Sequence, residues 1–409
     1  MTTPASSPSP GLRLARAGGV IEFPVHHMRG GTSTGLVLWE QLVPAGPGLR
    51  EELIRHLMGV PLEGRLPGHR QITGLGRGIA TSNKVFLADI EDADGAPRIV
   101  STLAQLAGET AAIDWSVNCG NMSSALQLWA EDTGFIRGGD AGPSDIDIRN
   151  TNTGVLTTSR MVRQGRGGYA GAEIPGVDGV FPGVDLFLHD PVGSKTGALL
   201  PTGKAVEEID GNPVSCVDVA VPMVIADAAG FGKTAWEPMA ELTADGAFME
   251  AFRSVWIEAG LRMGLTRRDG TPMTRDEIAR SETVPKACIV GPPVGDGSIA
   301  VRYFTPQTGH PSMAVSGGCC LAAAAMVPGS VANRVARGVS RPGADFADHQ
   351  IGIENPAGIL EATVVAREEA GSLVVASAAY RRSTQILVRG RVPLYRASPA
   401  LADALSALL

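Results

Sequence analysis

Ser116-Val117-Asn118-Cys119-Gly120-Asn121-Met122-Ser123 sets a cysteine and a Gly-Asn step directly before an apolar, helix-spaced run, Ser123 to Ala130. Helix starts carry unsatisfied backbone N–H groups and a partial positive charge. A thiol held there is drawn toward thiolate, and a carboxylate finds donors there. Both suit an enzyme that moves a proton beside a carboxylate. The same residues also describe a small buried cysteine ahead of a helix cap, so the rest of the chain has to decide between the two.

The chain has 409 residues, enough for two domains with cores of their own. With 52 Gly, 28 Pro and 5% aromatics, many short strands and few long helices are expected. A net charge of −7 without a basic stripe argues against nucleic acid. No apolar run reaches membrane-spanning length: the segment 214–229 carries Asp218 and Asp227 and reads as one buried strand over 214–226. Five cysteines (Cys119, Cys216, Cys288, Cys319, Cys320) show neither metal spacing nor an even framework. Reduced thiols in a cytoplasm, with no metal, are the expectation. His26, His27, His56 and His69 lack ligand spacing as well. Gly74-Leu75-Gly76-Arg77-Gly78 precedes a strand rather than a helix, and Gly203-Lys204 lacks the phosphate-loop spacing.

Residues 1–19 are Ser/Pro-rich and read as a disordered tail. A strand over 21–27 runs into Met28-Arg29-Gly30-Gly31-Thr32-Ser33-Thr34-Gly35 and a second strand over 36–39. Residues 49–58 have helical spacing. Further strands are expected over 85–90 and 146–149. The second half echoes the first. Val284-Pro285-Lys286 answers Ser82-Asn83-Lys84, and Ser316-Gly317-Gly318, with a helix over 319–326, answers Cys119-Gly120-Asn121. The offset is about 200 residues, which makes duplication the economical reading and sets a site in a cleft between the halves. The expected division is a first half over 20–200, a second over 201–397 whose end returns to the first, and a C-terminal helix over 398–409.

Taken in order, these motifs form a family pattern. It includes Met28-Arg29-Gly30-Gly31-Thr32-Ser33, Thr81-Ser82-Asn83-Lys84-Val85, Cys119-Gly120-Asn121-Met122-Ser123, Arg149-Asn150-Thr151-Asn152-Thr153 and Asp190-Pro191-Val192-Gly193-Ser194-Lys195-Thr196-Gly197. Leu200-Pro201-Thr202-Gly203, Gly309-His310, Val327-Pro328-Gly329, Asn355-Pro356-Ala357-Gly358 and Arg381-Arg382-Ser383-Thr384 continue it. The chain resembles the methylaconitate isomerase and 4-oxalomesaconate tautomerase family, over roughly residues 23 to 394. Three positions depart from the family. Thr34 stands where a Lys or Arg is usual, Asn83 is inserted between Ser82 and Lys84, and Glu354-Asn355-Pro356-Ala357-Gly358 replaces His-Pro-Ser-Gly.

The resemblance implies an α+β, diaminopimelate epimerase-like fold of two pseudo-symmetric halves, each a sheet or barrel around a central helix. It implies cofactor-free proton or double-bond movement, allylic or cis–trans, in an unsaturated di- or tricarboxylic acid such as 2-methylaconitate, aconitate or 4-oxalomesaconate. A homodimer in the cytoplasm is expected, with no nucleic-acid or membrane partner. Lys84 matches the family's catalytic lysine and Cys119 its active-site cysteine. Arg29, Gly30, Gly31, Thr32 and Ser33 match a carboxylate cradle, and Gly120, Asn121, Met122 and Ser123 a second one. His310, Ser316 and Gly317 are the corresponding binding residues of the second half. The second-half counterpart of Cys119 falls near Ala314, Val315 and Ser316, and Cys319 and Cys320 are expected to pack inside the helix. The alternatives are a single-carbon racemase or epimerase, which the missing second thiol disfavours, and a non-catalytic acid-binding protein.

Overall fold

The computed structural model describes residues 10–409 other than 79, 166, 268 and 282. Two compact units emerge. Unit one runs through Glu173 and adds Gly179–Leu186 and Arg382–Leu409; unit two comprises Ile174–Asp178 and Phe187–Arg381. The chain passes into the second unit at Phe187 and returns to the first at Arg382.

Unit one contains β1 (Val20–Gly30), β2 (Ser33–Trp39), α1 (Pro47–Met58), β3 (Lys84–Ala93), β4 (Ala96–Leu106), α2 (Gly120–Ser123), α3 (Leu126–Asp132), β5 (Gly142–Asn150) and β6 (Leu156–Gln164). Unit two contains β7 (Asn212–Val219), β8 (Val221–Asp227), α4 (Gly246–Arg262), β9 (Lys286–Gly291), β10 (Ile299–Thr305), α5 (Val315–Met326), β11 (Ala347–Asn355) and β12 (Gly358–Glu369). A long strand, β13 (Ser372–Pro393), pairs with β12 in unit two and, beyond Arg382, with β1 in unit one. The helix α6 (Pro399–Ser406) closes the chain.

The two units share one connectivity. In unit one β1 and β2 pair antiparallel, β2 and β3 parallel, β3 and β4 antiparallel, β4 and β5 parallel, and β5 and β6 antiparallel. Strands β7 to β12 repeat that series of pairings step for step. Each parallel pair needs a crossover. The helices α1 and α4 lie in the first crossover of each unit, α2 with α3 and α5 in the second. Lys84 and Lys286 are the first residues of equivalent strands, and Cys119 and Ala314 are the N-cap residues of equivalent helices.

Strands buried on both faces explain the continuous apolar runs of the sequence. Val37, Phe86 and Leu103 point to the central helix with Met122, Leu126 and Trp129. Leu36, Leu38, Val85 and Leu87 point to the outer layer with Leu53 and Leu57 of α1 and Leu401 and Leu405 of α6. In unit two, α5 is buried from Gly317 through Met326. A helix apolar all round is one with no solvent side, and its small residues let the sheet come close.

Four sequence expectations need correction. Residues 1–9 of the expected tail lie outside the described residues, but Pro10–Leu12 forms a helical turn and Ala15–Ala17 pairs with Val20–Glu22. The single strand over 214–226 is a hairpin, turned at Ala220 with φ of 62°. The helix expected over 123–130 starts at Gly120 and divides into α2 and α3, joined through Ser124 and Ala125 by i→i+3 bonds of 3.3 and 3.1 Å. The helix expected from Cys319 starts at Val315, so Ser316 and Gly317 lie in its first turn. The 17-residue α4, capped by the Asp245 side chain, was not anticipated.

A Cβ at Gly317 would lie 2.6 Å from the Tyr303 ring, and one at Gly318 2.8 Å from that of Tyr380. Overpacking of this kind costs about 1–3 kcal/mol. Gly317→Ala should lower the urea midpoint of unfolding accordingly, and an unchanged midpoint would show that α5 does not need its close seat on Tyr303.

Candidate active site

Lys84 opens β3 and is only 6% exposed. Strand alternation puts it on the face of Phe86, toward the central helix. Its cross-strand partner is Gln105, whose Oε1 accepts a hydrogen bond from Lys84 Nζ. Burial holds the lysine below its ordinary pKa of 10.5, while negative charge on Cys119 works in the opposite direction. The lysine and the cysteine singled out from sequence thus interact in one locality.

Cys119 is the N-cap residue of α2 and is half-buried. The turn around it is tied internally. Its N–H donates to Asn118 Oδ1 at 2.7 Å, and Ser123 Oγ donates to Cys119 O at 2.9 Å. Met122 is fully buried in the core, so its side chain anchors the turn rather than lining a site. Gly120 is exposed, and Asn121 reaches across to the β1–β2 turn.

That turn fits against the helix start at very short range. A Cβ at Gly30 would fall 2.4 Å from Asn121 O, and one at Gly31, where φ is 52°, 2.5 Å from Asn121 Oδ1. The glycines are therefore required by close approach and by backbone conformation. Asn121 Nδ2 donates to the exposed Thr32 hydroxyl at 3.2 Å, and Asn121 Oδ1 accepts from Arg382 Nε at 2.8 Å. Arg382 is 5% exposed. Sequence reasoning quoted it within a motif but gave it no role. An arginine pair ending an otherwise apolar stretch, Ala378-Ala379-Tyr380, was the available signal.

Arg29 has a different position from the one expected. Alternation turns it, with its cross-strand partner Thr34, away from the face of Gly35 and Val37. Its Nη1 donates to Gly31 O at 2.9 Å, Ser383 O at 3.1 Å and Ser383 Oγ at 3.2 Å, and the guanidinium lies 4.6 Å from the centre of the Phe181 ring. Burial lowers its pKa. Arg29 thus braces the turn from behind. Ser33 is buried at the turn, and Thr34 Oγ1 is buried with no hydrogen-bond partner among the described residues.

Asn83, the departure between Ser82 and Lys84, is fully buried and locked to Gln71 by two side-chain bonds of 2.9 and 3.0 Å. It fixes the glycine-rich loop against the start of β3. The histidines without ligand spacing have ordinary partners: His26 meets Asp132 at 3.2 Å, His56 meets Glu52 at 3.4 Å, and His69 meets Gly59 O at 2.7 Å. His27 is buried and pushed down to about 4, by burial and then by Arg77. Among the described residues no cluster of side chains could hold a metal ion, and no helix is long and apolar enough to cross a membrane.

His310, Ser316 and Gly317 belong to unit two. His310 Nδ1 accepts from Ser312 N–H at 2.9 Å, and its ring stands edge-on to Tyr303 at 5.8 Å. Ser316 and Gly317 precede Gly318, whose N–H makes the first intrahelical bond, to Ala314 O at 2.9 Å. Cys319 and Cys320 are fully buried inside α5.

The profile of a family described as PrpF protein matches residues 20–395. The chain is 30% identical over 380 residues to the 4-oxalomesaconate tautomerase of Pseudomonas putida, covering 92% of this chain and 98% of that protein. It is 31% identical over 371 residues to the (4E)-oxalomesaconate Delta-isomerase of Novosphingobium sp. strain KA1, covering 90% and 96%. In three dimensions it is similar to methylitaconate-delta-isomerase, with a TM-score of 0.77, 25% identity, and coverage of 93% of this chain and 97% of that one.

The thiols differ sharply in access. Cys216, Cys288, Cys319 and Cys320 are all fully buried. Burial pushes Cys216 up to about 12 and Cys288 and Cys320 upward as well. Iodoacetamide on the native protein should therefore add one label, at Cys119, and none to a folded Cys119→Ser variant. Earlier labelling of Cys319 or Cys320, read by peptide mass spectrometry, would overturn this ranking.

Proposed function

The chain belongs to the PrpF family, and from that premise we propose that it is an isomerase that moves a double bond in an unsaturated di- or tricarboxylic acid by proton removal and return. The observation that carries the reading is the buried Lys84 interacting with Cys119 at the start of the central helix.

A lysine is a useful base only when its pKa approaches the working pH, and burial moves Lys84 in that direction. In the proposed reaction its neutral amine takes an allylic proton from the substrate. The electron pair moves into the conjugated system, and a dienolate forms with negative charge on a carboxylate or keto oxygen. Cys119 returns a proton to the far carbon and the double bond is re-formed one position along. One proton leaves and one arrives, so no redox partner is needed. Preorganised donors at the developing charge supply much of the rate. Thr32, Asn121 and the buried Arg382 are the proposed donors in unit one, on a turn that Gly30, Gly31, Ser33 and Arg29 shape. His310, Ser316 and Gly317 are proposed carboxylate contacts of unit two. The N-cap equivalent to Cys119 is Ala314, which weighs against a racemase using two thiols. Five cysteines, none in a disulfide among the described residues, support a reducing, cytoplasmic location.

Oxalomesaconate, methylitaconate, methylaconitate and aconitate should be tested in deuterated buffer by ultraviolet absorbance and mass spectrometry. Isomerisation with deuterium at a new carbon is expected; exchange with inversion at one carbon would replace this reading with an epimerase. Lys84→Ala should slow turnover about 10²–10⁴-fold with the fold intact. Near-normal rates in that folded variant would remove Lys84 from the mechanism.

A further inference from the structure

We propose that Gln105 is the positioning residue for Lys84, accepting from its amine and held in turn by a hydrogen-bonded relay through the buried Asn83 and Gln71 that reaches the glycine-rich loop. The proposal rests on the reading of Lys84 as the base.

Gln105 and Lys84 face each other across β3 and β4, on the side of the central helix. Gln105 Oε1 accepts from Lys84 Nζ. The amide cannot turn over without loss, because Nε2 donates to Asn83 O at 3.0 Å and to Leu106 O at 3.1 Å. Both amide hydrogens are spent, and a flipped amide would set N–H against the ammonium. Asn83 is held in turn. Its Oδ1 accepts from Gln71 Nε2 at 2.9 Å and Arg77 N–H at 3.3 Å, and its Nδ2 donates to Gln71 Oε1 at 3.0 Å. Gln71 completes the relay by bonding Met58 O at 3.0 Å and accepting from Gly78 N–H at 2.7 Å. A Cβ on Gly76 would lie 1.9 Å from Gln71 Nε2 and 2.5 Å from Asn83 Oδ1. The loop's glycine and the asparagine before Lys84 thus serve the same relay.

The chemistry of the partner matters. A carboxylate beside Lys84 would favour the ammonium and hold the base protonated. A carboxamide gives Nζ a fixed direction with a much smaller bias toward the charged form. Gln105 therefore orients the amine while leaving burial free to lower its proton affinity.

The test is the rising limb of kcat/KM against pH for 4-oxalomesaconate in the wild type, Gln105→Met and Lys84→Met. Loss of the acceptor disfavours the ammonium, so in Gln105→Met the limb should move to lower pH by about one unit. The value of kcat should fall about tenfold or more from misaimed proton transfer, with KM within about threefold. An unmoved limb overturns the proposal whatever happens to kcat. Lys84→Met separates the premise: activity near wild type removes Lys84 as base and the proposal with it, whereas an inactive Lys84→Met leaves the limb of Gln105→Met to decide. Should Gln105→Met fail to fold by circular dichroism, Gln105→Glu decides instead. Its carboxylate should move the limb to higher pH, and an unmoved limb there is equally fatal.

Discussion

The seating of the Cys119–Ser123 turn against Gly30 and Gly31 is the contact on which the candidate site depends. Asn121 O and Oδ1 occupy the space that side chains at those two positions would need. Only with glycine at both can the β1–β2 turn close onto the helix start. That closure brings Thr32 to Asn121 and Asn121 to Arg382. Met122 and Trp129, fully buried one turn and more further on, fix the helix from the core side. The turn is thus held from both ends, by packing below and by hydrogen bonds above.

Charge follows the same economy. The chain is acidic as a whole, with a net charge of −7, yet Lys84, Arg29 and Arg382 are all more than nine-tenths buried in unit one. Buried cations without nearby carboxylates are costly. Here the partners of Arg29 are two carbonyls, a serine hydroxyl and, at 3.4 Å, the Gln385 amide; Arg382 Nε has Asn121, and Lys84 has Gln105. Neutral oxygens accept from all three cations, while Arg29 Nη2 is buried with no hydrogen-bond partner among the described residues.

Much of this was legible in the sequence, for identifiable reasons. Glycine pairs at forced turns, a cysteine before Gly-Asn and lysines at strand starts are local signals, and they located β1, β2, β3, α1 and the start of α2 within a few residues. The duplication was legible because the same signals recur. What was not legible depends on pairing. Nothing in the segment 214–226 marks Ala220 as a left-handed turn, since a run buried on both faces reads alike as one strand or as a hairpin. The resemblance placed Arg29 in a carboxylate cradle; that its side chain lies, with Thr34, on the other face of the turn from Gly35 and Val37 follows only from strand register. Arg382 and Gln105 were missed because each is defined by a partner distant in sequence, 261 residues away for Arg382 and 21 for Gln105.

The repeated connectivity sharpens the asymmetry of the chemistry. Both units keep a lysine at the start of the same strand, and both lysines are lowered by burial. The residue across from Lys84 is Gln105, whereas Lys286 precedes Ala287, which pairs with Phe304, so its own register neighbour is Thr305. The helix N-cap is Cys119 in one unit and Ala314 in the other. The backbone frame and the strand-start lysine are thus repeated, while the N-cap cysteine stands in unit one alone. An enzyme that inverts one carbon needs an acid and a base on opposite faces of that carbon. One that takes a proton from one carbon and returns it to another can use one group or two, and two unlike groups suit carbons of different acidity. Unit one holds a burial-lowered lysine and an accessible thiol, two such groups, whereas the equivalent N-cap of unit two is Ala314.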